Sequence, residues 1–384
     1  MPPLRQHASS PFLMWAFGRA GMQPFASPRG INTRTYDGRP ACPFCGYCQG
    51  FGCAVNDRAS STNTVLRKAM ETGRCEVRAG HCVTRLIHEK GRVVGVAYKT
   101  DPTGPEHILK APRVIVSIQA IESARLFLIS GIPDPNKLIG RYLTYHTKGT
   151  LEMSFRGQPV WDEGAQGIYQ PRTSLGSLQL RDMYLINDPA EPMLTKGGKF
   201  SIYDPLTISP PIKAISRTGM GKQKAKDLWG KDLLDRLTEL RSQGGVQFSF
   251  TGETMSRYDN RVELDPNRKD PWGMPVARTF YQHHDYDLRL SQYALNRMAA
   301  IMSDAGGEVR KLDPQKKENE GYGHNHGSLR AGTDAGASVL NAECESWTVK
   351  GLYVLDSAFM PTAGASNPTL TQIANAYRVC ATMP

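Results

Sequence analysis

The chain has 384 residues, of which 40% are hydrophobic and 22% are charged, and its net charge is +11. At about 150 residues per domain this composition predicts a globular protein of two or three domains, and it excludes disordered tails and disulfide-stapled miniproteins. No stretch reaches the roughly 18 to 20 consecutive apolar residues of a membrane span, so we expect no direct span. Basic residues are spread thinly along the sequence, which argues against nucleic-acid binding.

Short apolar segments in the first hundred residues predict helices and strands in alternation. Residues 12–20 form an apolar helical candidate, and a Ser/Thr-rich entry predicts a second short helix within 60–70, capped near Ser61 or Thr62. The segments that follow alternate apolar and polar residues, and they predict three to four short strands with a turn at 89–91.

A continuous apolar run at residues 114–116 predicts a strand buried on both faces. It leads through Ser117 into the helical sequence AIESARLFLISGI, which Gly131 and Pro133 end. A strand that feeds a helix in this way is half of a βαβ unit, so we expect part of a parallel sheet here.

Residues 151–320 change character and predict an antiparallel sheet, with strands at GTLEMSF, MYLI, GVQFSFTGE, NRVELD and PVARTFYQ. Two helices interrupt them, at about 222–242 and 285–305. Near the end of the chain GLYVLDSAF predicts a strand, and TLTQIANAYRVCA predicts a helix whose N-cap is Asn367, followed by Pro368. The N–H groups at the start of such a helix bind anions and flavins.

Two polar side chains frame this last turn. His324 lies in the Gly-rich segment GHNHGSLRAG, and Asn367 opens the final helix. A neutral imidazole beside an amide can abstract the proton of an alcohol or stabilise an alkoxide. Taken alone, these two residues are better explained as a surface histidine and a helix-capping asparagine.

The segment from His324 to Gly332, followed by GLYVLDSAFMPTAGASNPTLTQIANAYR, resembles the C-terminal signature of the glucose-methanol-choline (GMC) oxidoreductases. Within that family it is most similar to bacterial gluconate, glucose and sorbitol dehydrogenase-type large subunits. RVIVSIQAIESARLFLISG and IGRYLTYH match two further family patterns, although Glu122 replaces the usual Ser or Thr. The resemblance implies an FAD-dependent dehydrogenase acting on a CH–OH group of an alcohol or sugar.

The resemblance assigns roles to individual residues. His324 matches the catalytic histidine that takes the hydroxyl proton while hydride passes to the flavin, and Asn367 matches the second active-site position. The positions that match the flavin-binding pocket are Val83, Ser117, Asp356, Ala358 and Thr369. The resemblance also implies a small-molecule substrate and transfer of the electrons to a carrier.

The family begins with a strand, G-x-G-x-x-G and a helix, and residues 1–60 lack that spacing after a strand. We therefore expect a family member without its dinucleotide-binding segment, which holds FAD poorly when expressed alone. An alternative is a non-catalytic remnant or split-gene product that binds its missing half. Location follows only from family analogy, which suggests the periplasm or a membrane surface, whereas the chain as it stands suggests the cytoplasm.

Four of the eight cysteines, Cys42, Cys45, Cys48 and Cys53, form C-x2-C-x2-C-x4-C. This spacing is close to the ferredoxin run, although its last gap is four and Ala54 replaces Pro. An iron–sulfur cluster, zinc, disulfides and unligated cysteines all remain open. Some family members carry a three-iron cluster in this region, which by analogy implies electron transfer to a cytochrome subunit. A flavin-free metal module is a further alternative, but it leaves the C-terminal motif unexplained.

The sequence thus predicts a mixed α/β fold, with an incomplete Rossmann-like FAD domain and an antiparallel-sheet substrate domain. The predicted boundaries are 1–150 for the partial FAD domain with its Cys-rich loop, 151–315 for the substrate domain and 316–384 for the rest of the FAD domain.

Overall fold

The computed structural model describes residues 1–4, 6, 9–44, 52–155, 178–203, 229–232, 234, 245–318 and 324–383. Its helices are α1 (Ser10–Arg19), α2 (Val65–Glu71), α3 (Ala120–Ile129), α4 (Asp285–Asp304) and α5 (Thr369–Thr382). The helix expected at 222–242 lies almost entirely outside the described residues. Among the helices that are described, none has both the length and the apolar character needed to cross a bilayer.

The strands of the described residues are short, and most are antiparallel. In chain order they are β1 (Phe25–Ala26), β2 (Cys82–Glu89), β3 (Arg92–Lys99), β4 (His107–Lys110), β5 (Val114–Val116), β6 (Thr147–Ser154), β7 (Leu178–Leu180), β8 (Gly198–Tyr203), β9 (Gly245–Gly252), β10 (Arg261–Lys269), β11 (Pro275–Phe280), β12 (Glu308–Pro314) and β13 (Leu352–Val354).

The largest sheet has six strands in the order β1-β7-β8-β9-β6-β12, and every neighbouring pair is antiparallel. Side chains on successive residues of a strand point to opposite faces, so each strand contributes alternate residues to each side. One face is apolar and fully buried, and it includes Leu151, Phe200, Phe248 and Phe250 at 0% exposure. It packs against α4 and α1 in one hydrophobic core.

Helix α4 covers this sheet, and the sequence predicts for it an apolar stripe of Leu288, Leu295, Met298 and Met302. The last three are completely buried, whereas Leu288 is only partly buried and Leu290 lies in the core instead. Its first turn is fixed by a capping box, in which His284 accepts from the Tyr286 N–H and the Asp287 carboxylate accepts from the His284 N–H. The predicted helix at 285–305 is therefore confirmed to within one residue.

A second core surrounds a parallel pair of strands, β5 and β13, with Val114 opposite Leu352 and Val116 opposite Val354. Helix α3 follows β5, as the strand-to-helix pattern predicted. The three-stranded antiparallel sheet β2-β3-β4 and the hairpin β10-β11 pack around it. Arg125 on α3 donates from Nε to the Pro275 carbonyl at 2.7 Å, which ties α3 to the hairpin.

The predicted mixed α/β fold with an antiparallel sheet is confirmed, but two details of the strand prediction are wrong. The MYLI segment is not a strand, because its backbone turns and only Leu185 forms an isolated bridge, to Lys196. Strands β7 and β8, on either side of it, supply the sheet instead. NRVELD and PVARTFYQ form a separate hairpin rather than part of the large sheet. The domain boundaries remain a prediction.

Candidate active site

The two side chains singled out at the sequence level lie side by side. Asn367 Nδ2 is 3.3 Å from His324 Nε2, although 43 residues separate them in the chain. His324 is half-buried and Asn367 is exposed, so the pair lies at a surface that solutes can reach. An imidazole nitrogen and a carboxamide N–H at this separation can share one small polar group between them.

The backbone around His324 is strained and firmly held. His324 has φ +53° and Ser328 has φ +72°, a region that non-glycine residues seldom adopt. His326 exchanges two backbone hydrogen bonds with Thr144, each 2.9 Å long. Gly327 has φ +74°, and a Cβ placed there would lie 2.1 Å from the Tyr142 carbonyl oxygen. This close approach requires glycine and fixes where the following and preceding residues lie.

Two side chains from the large sheet hold the loop that carries Asn367. Lys199 on β8 donates from Nζ to Asn367 Oδ1 at 2.6 Å. Glu253, just beyond β9, accepts from the Gly364 N–H at 3.0 Å. The prediction that Asn367 caps α5 is wrong, because its side chain is engaged by Lys199 and His324. Pro368 occupies the cap position and makes no side-chain cap.

The sheet face opposite the apolar core is polar, and it lies toward this pair. In strand register, Lys148 and Lys199 both face Thr251, while Thr150 and Ser201 both face Ser249. The next row pairs Glu152 and Tyr203 with Gln247. Because alternate residues share a face, these side chains form one surface rich in hydroxyl, amide and charged groups.

Three imidazoles cluster in the site. The His146 ring centroid is 5.2 Å from that of His324 and 4.9 Å from that of His326. Both nitrogens of His146 and of His326 are buried, and neither ring has a hydrogen-bond partner in the part of the chain that the structure describes. Burial is the main cause that lowers the pKa of His146 to about 2 and the pKa of His326 to about 4. Both imidazoles are therefore neutral at pH 7.

The pKa of His324 is also lowered, first by burial and then by the positive charges of Lys148 and Lys199. Burial, with Arg181 and Arg29 nearby, lowers the pKa of Lys199 to about 8. The site therefore holds a neutral imidazole next to cationic lysines. Their positive charges disfavour protonation of His324, which leaves the imidazole free to act as a base.

Two of the residues expected to bind a cofactor, Ser117 and Asp356, lie just beyond the carboxyl ends of β5 and β13. Ser117 directly follows β5 and is exposed, whereas Asp356 is buried two residues after β13. The Asp356 carboxylate accepts from the N–H groups of Ile118 at 2.9 Å and Gln119 at 3.0 Å and from the Ser123 hydroxyl. Its other oxygen accepts from the Ala358 N–H at 2.7 Å. Asp356 thus joins the two strand ends through its side chain.

The other three expected cofactor residues differ in their exposure. Ala358 is fully buried, Val83 on β2 is 38% exposed, and Thr369 is exposed as the first residue of α5. The structure brings Ala358 and Asp356 into one hydrogen-bonded turn, while Val83 lies on the separate three-stranded sheet. Their roles toward a cofactor remain predictions.

The cysteine motif is only partly described, because Cys45 and Cys48 lie outside the described residues. Cys42 is buried beside Leu4 and Ile31, and the Cys53 thiol donates to Asp57 Oδ1 at 3.0 Å. Within the ranges that the structure describes, no group of three or more His, Cys, Asp or Glu side chains is arranged to hold a metal ion. Metal binding by this motif remains a prediction.

Sequence reasoning missed Lys199, Glu253 and the buried role of His146. One pattern does point to Lys199, because it is the single charged residue in the strand sequence GKFSIY. His146 ends the IGRYLTYH motif, but no local pattern indicates that it packs against His324.

Two sequence matches to the GMC oxidoreductase family cover more than half of the chain. The N-terminal family model matches residues 19–148, and the C-terminal one matches residues 256–376. The chain is 28% identical over 98% of its length to 2-methyl-1,2-propanediol dehydrogenase of Mycolicibacterium austroafricanum, of which it covers 66%. It is 26% identical over 90% of its length to the gluconate 2-dehydrogenase flavoprotein of Pantoea cypripedii, of which it covers 56%. The chain thus spans less than two thirds of the length of these relatives.

The fold is similar to that of a formate oxidase of Aspergillus oryzae. The TM-score is 0.62 with 15% sequence identity, and the match covers 99% of this chain and 71% of the oxidase. The sequence matches and the fold agree, and they include the segment from which His324 and Asn367 come. This chain is therefore a member of the GMC oxidoreductase family.

Proposed function

We propose that this chain carries the substrate site of an FAD-dependent oxidoreductase that oxidises a CH–OH group of an alcohol or sugar. The observation that carries the proposal is the contact between His324 Nε2 and Asn367 Nδ2 beside the polar face of the large sheet. Membership of the GMC family and the similarity to dehydrogenases of a diol and of gluconate support it.

The residues present fit FAD in two respects. The ring nitrogens of His146 and His326 and the Nδ1 atom of His324 are buried polar atoms that have no partner among the described residues, as expected beside a bound polar group. Helix α5 begins at Thr369 without a side-chain cap, so its first N–H groups remain available to an electron-rich acceptor. Ser117 and Thr369 are the exposed residues that would hold such a group. When bound, FAD supplies the acceptor for the hydride from the substrate carbon.

The chain's own residues handle the proton. His324 takes the hydroxyl proton at Nε2 as the alcohol becomes a carbonyl compound, and the Asn367 N–H donates to the substrate oxygen as negative charge develops on it. The lowered pKa of His324 keeps this nitrogen unprotonated at neutral pH. Burial keeps His146 and His326 neutral, so neither adds positive charge next to the base.

The polar sheet face favours a substrate with several hydroxyl groups. Thr150, Thr251, Ser201, Ser249 and Gln247 offer hydroxyls and an amide, which both donate and accept hydrogen bonds. Such groups match the hydroxyls of a polyol, a sugar or a sugar acid.

A substrate panel tests this function. Under anaerobic conditions, we expect polyols, aldoses or aldonates to bleach the flavin absorbance near 450 nm in the protein loaded with FAD, whereas simple primary alcohols act more slowly. If no compound with several hydroxyls reduces the flavin while a simple alcohol does, the proposed substrate class is wrong.

The pH dependence follows from the His324 base. A base acts only when it is unprotonated, and the pKa of His324 lies below its usual 6.5. We therefore expect the acid limb of kcat/KM to have its midpoint below pH 6.5. The measurement is a pH profile of kcat/KM with one reducing substrate, and an acid limb with its midpoint above pH 6.5 would contradict the role given to His324.

Transfer of the electrons to a carrier or cytochrome subunit, and an iron–sulfur cluster on Cys42, Cys45, Cys48 and Cys53, are further proposals. The similarity to the fructose dehydrogenase large subunit of Gluconobacter japonicus, at 25% identity, supports an additional subunit. The described residues give the cluster no support beyond the cysteine spacing.

A further inference from the structure

We propose that Lys199 is a positioning residue, whose ammonium group orients the Asn367 carboxamide and thereby selects the His324 tautomer that can act as base. This inference rests on the proposed role of His324, but it concerns a residue on a different element of the fold. Lys199 lies on β8, in the large sheet, 168 residues from Asn367.

The environment of Lys199 is unusual for a lysine. It is only 3% exposed, and within the described part of the chain its hydrogen-bond partner is the neutral oxygen of Asn367 rather than a carboxylate. The charged groups that lower its pKa, Arg181 and Arg29, are also cationic. Burying an ammonium group without a counter-ion is unfavourable, so its position needs a reason other than stability.

The chemistry of the contact determines how the amide is oriented. A protonated lysine has three N–H donors and no acceptor, so only the carboxamide oxygen can face it. With Oδ1 held at 2.6 Å from Lys199 Nζ, the Asn367 NH2 group must face His324. The two ends of an amide are otherwise nearly equivalent in shape, and without Lys199 nothing in this contact would choose between them.

The amide in turn determines where the imidazole proton lies. Asn367 Nδ2 can only donate, so His324 Nε2 must be the acceptor across their 3.3 Å contact. The proton of the neutral ring then lies on Nδ1, which is buried and has no partner among the described residues. Nε2, the nitrogen that faces Asn367, is left with its lone pair and is the basic atom.

Nuclear magnetic resonance tests this chain of contacts without flavin or substrate. The 15N shifts of a histidine ring distinguish the two neutral tautomers, and the His324→Gln spectrum identifies the resonances of His324 among the nine histidines. We expect the Nδ1–H tautomer in the wild type and in Lys199→Arg. In Lys199→Met we expect a mixture with the Nε2–H form and a higher His324 pKa, because a neighbouring positive charge is removed.

The groups that face His324 have to be separated in this titration. Lys148, His146 and His326 act on it in addition to Lys199, and all three remain in every variant. Lys110→Met, on the exposed strand β4, removes the same charge far from the contact and should change neither tautomer nor pKa. If the Met variant folds poorly, Lys199→Leu replaces it in the same measurement.

Two outcomes would overturn the proposal. The first is an unchanged His324 tautomer and pKa in Lys199→Met or Lys199→Leu, and the second is an Nε2–H tautomer in the wild type. Neither measurement needs turnover. Failure of the substrate panel would therefore contradict the proposed function but would not contradict the role of Lys199. In the FAD-loaded protein, the same substitution should lower kcat by about 10-fold and change KM less, since misorientation affects the reaction more than binding.

Discussion

Replacement of His324 by alanine is expected to lower kcat for alcohol oxidation by a factor of about 10²–10⁴, the usual contribution of a positioned general base. Asn367 and Lys199 remain in this variant, but neither can accept a proton at neutral pH in the way that an imidazole can. The measurement is the rate of flavin reduction by a saturating substrate in the FAD-loaded wild type and variant.

A second histidine provides the control for this experiment. His107 lies on β4, where the strand is exposed, and it is far in the fold from the polar face of the large sheet. His107→Ala should leave kcat within about twofold of the wild type, as is usual for a surface substitution. Equal rates in His324→Ala and His107→Ala, at equal flavin content, would remove His324 from the mechanism.

Replacement of Asp356 by alanine is expected to lower the free energy of unfolding by about 3 kcal/mol, because donors in a mostly buried turn lose their acceptor. The N–H groups of Ile118, Gln119 and Ala358 and the hydroxyl of Ser123 all donate to this carboxylate. These donors favour the charged form of Asp356, but burial removes water from the carboxylate and thereby raises its pKa. Urea unfolding followed by circular dichroism measures the change.

The matched control is Asp304→Ala, at the exposed end of α4, where the carboxylate makes no hydrogen bond with the residues that the structure describes. This variant should differ from the wild type by less than about 0.5 kcal/mol. A loss of less than about 1 kcal/mol in Asp356→Ala would mean that water replaces its hydrogen bonds and that the turn between β5 and α3 does not depend on it.

Local patterns in the sequence were enough to predict several parts of this fold. Residues 114–116 and the segment GLYVLDSAF were expected to be strands, and they pair in parallel as β5 and β13. The expected burial of β5 on both faces is wrong, because Ile115 is 45% exposed, and β13 ends at Val354. The stripe on α4 was visible because apolar residues recurred at helical spacing, and burial of that stripe against the sheet is the physical reason for the pattern. The GMC resemblance added the His324–Asn367 pair.

Contacts between distant segments were not predictable in the same way. Strand β12 pairs with β6 across more than 150 residues, and nothing in either sequence encodes the partner. Asn367 followed by proline indicated a helix cap, but a lysine brought in from β8 competes for the same carboxamide. Local propensity failed at this residue because a tertiary contact offered its side chain a charged partner.

Gly327 shows that the location of the reactive nitrogen depends on a residue that takes no part in the reaction. Its missing side chain lets the segment ahead of it lie against the Tyr142 carbonyl, which brings His324 and His146 within contact of each other. Any larger residue would force these two segments apart, because its Cβ would overlap the Tyr142 carbonyl oxygen. Substitutions on the polar sheet face can therefore change which substrate is accepted, whereas Gly327 tolerates almost no substitution.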